Sequence, residues 1–150
     1  MLVGSSADDI RQSGTVFVRG EVIPARDLTR TTRGENFDDY AGVQLVDESK
    51  TAGTALGATA DGQWTKYADA ALNRPRTFTA RVANPGAAAG SVEVRLDSPT
   101  GRLLGTASAP ATGSAYDYVT VSTPLAAAAG RHDVYLVLTN GLRLATFALR

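Results

Sequence analysis

The sequence predicts an all-β fold, an antiparallel two-sheet β-sandwich of jelly-roll type, from three observations. Short segments rich in Val, Thr, Leu, Phe and Tyr recur between Gly, Pro, Asn and Asp, the pattern of a sandwich or barrel. Ser91-Val92-Glu93-Val94-Arg95-Leu96-Asp97 alternates strictly, which puts Val92, Val94 and Leu96 on one face and Glu93 and Arg95 on the other. Long helical periodicity is absent. Strands with one apolar face need a second sheet to cover them.

Along the chain, residues 1–13 read as an N-terminal arm or linker and residues 14–150 as the sandwich. The opening Met1-Leu2-Val3-Gly4-Ser5 lacks the basic and apolar regions of a signal peptide, and no run is long and apolar enough to span a bilayer. The expectation is a module taken from a longer chain. Asp27 to Tyr40, rich in Arg, Thr, Asp and Asn, has no period and is expected to be a long surface loop ahead of Gly42-Val43-Gln44-Leu45. Arg76-Thr77-Phe78-Thr79-Ala80-Arg81-Val82 and His132-Asp133-Val134-Tyr135-Leu136-Val137-Leu138 repeat the two-residue period. Asn84-Pro85-Gly86-Ala87-Ala88-Ala89-Gly90 is a looser connection, because Pro85 has no ladder donor. Leu125-Ala126-Ala127-Ala128-Ala129-Gly130 is too short to persist as a helix and reads as a turn. Thr139-Asn140-Gly141-Leu142 places Asn-Gly between two apolar runs, so the last two strands are expected to pair as a hairpin. The expected core is Val43, Phe78, Val82, Val92, Val94, Val119, Val121, Val134, Leu136, Leu144 and Phe147.

Composition excludes several functions. Fifteen basic and fifteen acidic residues cancel, and no Lys/Arg block stands out, so neither nucleic acid nor an anionic membrane is an expected partner. The absence of cysteine removes disulfides, Cys-ligated zinc and thiol chemistry together. The sole histidine, His132, follows Gly130 at a strand start, and its neighbour Asp133 points to the opposite face, so no orienting partner is expected. No Gly-x-Ser-x-Gly elbow exists. Asp47, Glu48, Asp61 and Asp69 mark no carboxylate pair for glycoside hydrolysis. No catalytic residue is assigned, and the chain is not expected to be an enzyme.

One ordered constellation remains. It runs Gly42-Val43-Gln44, Ala60-Asp61-Gly62-Gln63-Trp64-Thr65-Lys66-Tyr67, Arg81-Val82-Ala83-Asn84-Pro85-Gly86, Leu103-Leu104-Gly105-Thr106, Pro110-Ala111-Thr112-Gly113 and Gly130-Arg131-His132-Asp133-Val134-Tyr135-Leu136. In order and spacing this resembles a family 6 carbohydrate-binding module. The resemblance implies a non-catalytic, lectin-like sandwich that binds polysaccharide or oligosaccharide, appended to the catalytic domain of a secreted polysaccharide-active enzyme. It places ligand at the loop apex or across a concave sheet.

At the apex the resemblance implies two aromatic platforms, and these fall at Ala58 and Ala115, with Tyr116 one residue from the second. The apex Asn it implies falls near Arg143, with Asn140 displaced. Two acidic calcium ligands implied near the first strand fall at Pro24 and Arg26, where a guanidinium opposes a cation, so no cofactor is expected, calcium included. Trp64 matches a concave-sheet aromatic. It reads either as a glycan platform or as a structural strand aromatic. The candidate carbohydrate-binding residues are therefore Trp64, Glu93, Arg95, Tyr116, Asn140 and Arg143, with Tyr118 as a rim residue and no metal ligands. The alternative is a sandwich that has lost sugar binding and serves as a structural or protein-interaction module.

Overall fold

The computed structural model describes residues 24–150. The expected arm at 1–13, and the sandwich residues 14–23, lie outside the described residues. Eleven strands follow: β1 (Thr32–Arg33), β2 (Asp39–Ala41), β3 (Gln44–Asp47), β4 (Thr54–Gly57), β5 (Gln63–Asn73), β6 (Thr77–Ala83), β7 (Gly90–Leu96), β8 (Arg102–Ala109), β9 (Val119–Pro124), β10 (Ala129–Leu138) and β11 (Arg143–Leu149). Among the described residues there is no helix.

The strands form two antiparallel sheets. One runs β2-β5-β10-β7-β8, and the other runs β3-β4-β11-β6-β9 with β1 also on β11. Successive strands mostly alternate between the sheets, so each crossing carries apolar side chains from one inner face to the other. Only β3–β4 and β7–β8 are sequence neighbours that pair. Between the sheets, Val92, Val94 and Leu96 from β7 meet Phe78, Ala80 and Val82 from β6, all at most 2% exposed. Tyr67, Phe147 and Phe78 form an aromatic column through this core, with centroids 4.7 Å and 6.2 Å apart. The buried Tyr67 hydroxyl donates to the Gly34 carbonyl at 2.6 Å, which removes the penalty of an unpaired polar group.

The expected connection at 84–90 is organised by one buried side chain. The Asn84 amide donates to the Ala88 and Ala109 carbonyls at 2.9 and 3.0 Å, and its oxygen accepts the Gly86 N–H at 3.1 Å.

Four expectations need correction. The last two strands do not pair, because β10 lies in one sheet and β11 in the other. A tight primed hairpin needs positive φ at both central residues (type I′) or at the first (type II′); here only the second, Gly141, has it, at φ 83°, and the turn closed by Leu142 N–H on the Thr139 carbonyl passes the chain across the sandwich. Asp27 to Tyr40 is not a plain surface loop: it contains β1 and most of β2, and buries Leu28. Strands of two or three residues are too short to show a period. The Ala-rich stretch turns only as far as Ala128, because Ala129 and Gly130 already pair with Asn73 and Leu72. Val119 is 37% exposed rather than core; it opens β9, an edge strand paired only with β6 in its sheet. The other expected core residues are buried, with Val121 packed against them from its partly buried position.

Candidate functional site

The alternation that fills the core also builds the outer face of the five-stranded sheet. Thr65 and Tyr67 of β5 are buried, so Trp64 and Lys66 point outward; Val134, Leu136 and Leu138 of β10 are buried, so Val137 points outward, and Tyr135, in the same alternation but itself buried, lies against the Trp64 ring. Glu93 and Arg95 take the same side of β7, as the sequence predicts. Register aligns Trp64 with Val137 and Val137 with Glu93, while Lys66 aligns with Tyr135 and Tyr135 with Arg95. Two cross-strand rows result, one carrying Trp64 and Glu93 and the next carrying Arg95.

Trp64, Glu93 and Arg95 line one open cleft of about 550 Å³ together with Gly62, Val137, Pro99 and Thr100. The Trp64 ring meets Tyr135 edge-on, with centroids 5.1 Å apart and planes at 67°, a favoured aromatic geometry that fixes the indole. Trp64 itself remains partly exposed. Arg95 donates from Nε to Glu93 Oε1 and from Nη1 to the Gly101 carbonyl, both at 2.9 Å. These bonds hold the guanidinium against the cleft, and among the described residues Nη2 and the second Glu93 oxygen have no hydrogen-bond partner. Val137, Pro99 and Thr100 are cleft residues that the sequence reading did not select. The period of His132–Leu138 already turned Val137 outward; the β7–β8 loop carries no periodic signal.

The other candidates lie elsewhere. Tyr116 and Tyr118 both sit in the loop before β9. Tyr116 is 38% exposed, and the guanidinium of Arg143, on β11, lies 5.7 Å from its ring centroid. Tyr118 lies under Arg81, with 4.5 Å between guanidinium carbon and ring centroid. Burial pushes its hydroxyl above the usual tyrosine range. Asn140 joins neither group: its N–H donates to Asp61 Oδ1 at 2.7 Å, which pins the cross-sheet turn. Ala58 is buried beneath that turn, exchanging backbone hydrogen bonds with Gly141 and Leu142.

Neither catalysis nor calcium is supported by the residues present. His132 does have an orienting partner, correcting the expectation, but it is Asp97 across the β7–β10 pair rather than Asp133. Its Nδ1 lies 3.1 Å from each Asp97 oxygen and its Nε2 faces the Ala129 carbonyl at 3.0 Å. With a backbone oxygen on the second nitrogen, the ring presents no base to a nucleophile. At the position where the resemblance implies calcium, the Arg26 guanidinium donates to the Asn36 carbonyl and to Asp38 Oδ2, both at 2.9 Å. The same Asp38 oxygen accepts the Ala68 N–H at 2.7 Å. A fixed positive charge holding the nearby oxygens does not fit a calcium ion, and among the described residues no three His, Cys, Asp or Glu groups converge on a metal position.

Comparison with known proteins decides the family. The model of carbohydrate binding module family 6 matches residues 33–150. The chain belongs to carbohydrate-binding module family 6. Endo-1,4-beta-xylanase A of Thermoclostridium stercorarium is 32% identical over 139 residues, which cover 88% of this chain and 27% of that protein. A family 6 module of Clostridium cellulolyticum, solved with xylose, superposes with a TM-score of 0.77 at 28% identity, covering 83% of this chain and 99% of that one. A module of Clostridium stercorarium, solved with cellobiose, gives 0.76 at 30% identity, covering 85% and 98%. The family 6 module described here is a non-catalytic carbohydrate-binding domain. It spans about a quarter of the xylanase it matches, or less of the other curated relatives.

Proposed function

We propose that this family 6 module binds a neutral β-linked polysaccharide chain in the Trp64 cleft, as the accessory domain of a secreted polysaccharide-active enzyme. The observation that carries the site is the convergence of Trp64, Glu93 and Arg95 on one open cleft. An indole presents a flat apolar face to the C–H surface of a sugar ring, and the Glu93–Arg95 pair offers charge-assisted hydrogen bonds to hydroxyls. Trp64 and Glu93 stand two strands apart, about 10 Å at normal strand spacing, which suits a disaccharide or longer. The relatives support the sugar class: one is named a xylanase, and two similar modules are held with xylose and cellobiose. The accessory role rests on the same relatives, in which the matched region is a minor part of a longer enzyme.

The test is calorimetry with xylo- and cello-oligosaccharides. Trp64→Ala weakens binding by roughly tenfold or more, as loss of a central aromatic contact does, while Tyr116→Ala leaves neutral-sugar binding near wild type. Intact binding by Trp64→Ala beside loss in Tyr116→Ala moves the site to the apex. A wild-type domain that binds no glycan leaves the structural or protein-interaction reading in its place.

A further inference from the structure

Tyr40 of β2 and Leu45 of β3 face inward and are nevertheless exposed. Tyr40 pairs with Thr65 and Leu45 with Leu56, both fully buried, so the pleat turns both side chains toward the space between the sheets. Yet they are 52% and 60% exposed, more than any other large apolar side chain among the described residues. The cause is position: β2 and β3 are edge strands, one of each sheet, and between them the sandwich has an open seam. Phe37, Tyr40, Val43 and Leu45 line a cleft of about 200 Å³ there, with the rings of Phe37 and Tyr40 5.0 Å apart. The opposite flank, between edge strands β8 and β9, is closed by the chain that follows β9. Ala126 N–H donates to the Leu104 carbonyl at 2.9 Å, Arg102 Nη2 donates to the Ala127 carbonyl at 2.7 Å, and Leu125 packs on the core.

The N-terminal chain enters the fold beside the open seam. Pro24 stands two residues before Arg26, whose guanidinium holds the Asn36 carbonyl and Asp38, the neighbours of Phe37. Ahead of Pro24 the sequence carries Val16-Phe17-Val18. Val18 lies six residues before Pro24, a reach of about 20 Å in extended chain, which exceeds the length of the four-residue β3, about 13 Å. The family model matches only from residue 33, so the family fold assigns these residues no role. An uncovered apolar cleft calls for an apolar occupant, and this one lies within reach on the same chain.

We propose that Val16, Phe17 and Val18 pack across the seam between β2 and β3, cover Phe37, Tyr40 and Leu45, and close the sandwich on that flank. These residues then belong to the folded domain rather than to a linker, and the seam is not a surface for another protein. The proposal does not depend on the glycan reading.

The experiment is hydroxyl-radical footprinting of the full chain, which reads side-chain access directly and needs no variant. Leu45 is expected to be labelled several-fold more slowly than Leu103, and Tyr40 more slowly than Tyr116, although Leu103 and Tyr116 are only 43% and 38% exposed. Phe17→Asp is expected to abolish that protection, with the melting temperature confirming that the variant folds. Because the chain has no cysteine, a second measurement is available: Val18→Cys with Leu45→Cys should form a disulfide within one chain on oxidation, whereas Val18→Cys with Leu103→Cys, on the opposite flank, should not. Labelling of Leu45 and Tyr40 as fast as their references in the wild-type chain overturns the proposal. Protection that survives Phe17→Asp also overturns it. A Val18→Cys, Leu45→Cys disulfide that forms only between chains, together with a dimeric mass, gives the seam to a second copy and overturns it as well.

Discussion

Glu48 shows how single residues set the chemistry of this module. Arg33 donates to its carboxylate at 2.8 Å and Arg81 donates to the other oxygen. The hydrogen bond from Arg33, assisted by Arg81, holds its pKa below the ordinary value of 4.5. A depressed carboxylate contributes stability above its unfolded pKa and loses it as pH falls through the folded value. Melting temperature is therefore expected to fall with acidification below about pH 4.5, and Glu48→Gln to flatten that slope while lowering stability at neutral pH. An unchanged acid limb in Glu48→Gln contradicts this role. Nothing in the sequence marked Glu48, because its partners stand 15 and 33 positions away. Glu93 and Arg95 were legible for the opposite reason: each is the outward member of a two-residue period, and the period fixes the side of the sheet. Trp64 was singled out by the resemblance alone, which left its side of the sheet open.

Among the elements, the β7–β8 loop positions the cleft as much as the strands do. Its Pro99 and Thr100 form one wall, and its Gly101 carbonyl anchors Arg95. A Cβ on Gly101 would stand 1.9 Å from the Leu96 carbonyl oxygen, closer than atoms can approach. Gly101→Ala must displace the loop. It is expected to lower the melting temperature and to weaken neutral-glycan binding, whereas Gly62→Ala at the opposite rim, where a Cβ meets no atom, is strained only by its φ of 85°. Unaltered binding in Gly101→Ala, measured by the same titration, removes the loop from the site. Strands with clean alternation, such as β6 and β7, were readable in the sequence; β1 and β2 were not, because their two or three residues take extended form from their neighbours. The Asn-Gly dipeptide misled for a related reason: its local signal is compatible with a hairpin, and the apolar faces of β10 and β11 decide which sheet each joins.

At the scale of the whole molecule, Arg26 ties the chain entering β1 to the segment before β2 and stands beside β5. Its guanidinium holds Asn36 and Asp38, and its backbone bridges to Ala70. A side-chain cation in this place leads to the expectation that the fold does not depend on dissolved calcium. Adding a chelator, or calcium in excess, is expected to leave the melting temperature unchanged, since only a ligand bound to the native state raises it. A shift of many degrees overturns that expectation. Arg26→Met should destabilise the domain in both buffers alike, because an unpaired Asp38 remains.

The place of β11 has a further consequence, for synthesis. This last strand bonds β4, β6 and β1, partners that together reach back to Thr32. Without it the six-stranded sheet has no centre, and the apolar faces of β4 and β6 have nothing between them. A chain emerging from the ribosome cannot close the sandwich until residues 143–149 have left the exit tunnel, so the domain folds as one late event rather than strand by strand. Nascent chains halted before β11 emerges should be digested by protease throughout, and those halted after it has cleared should resist.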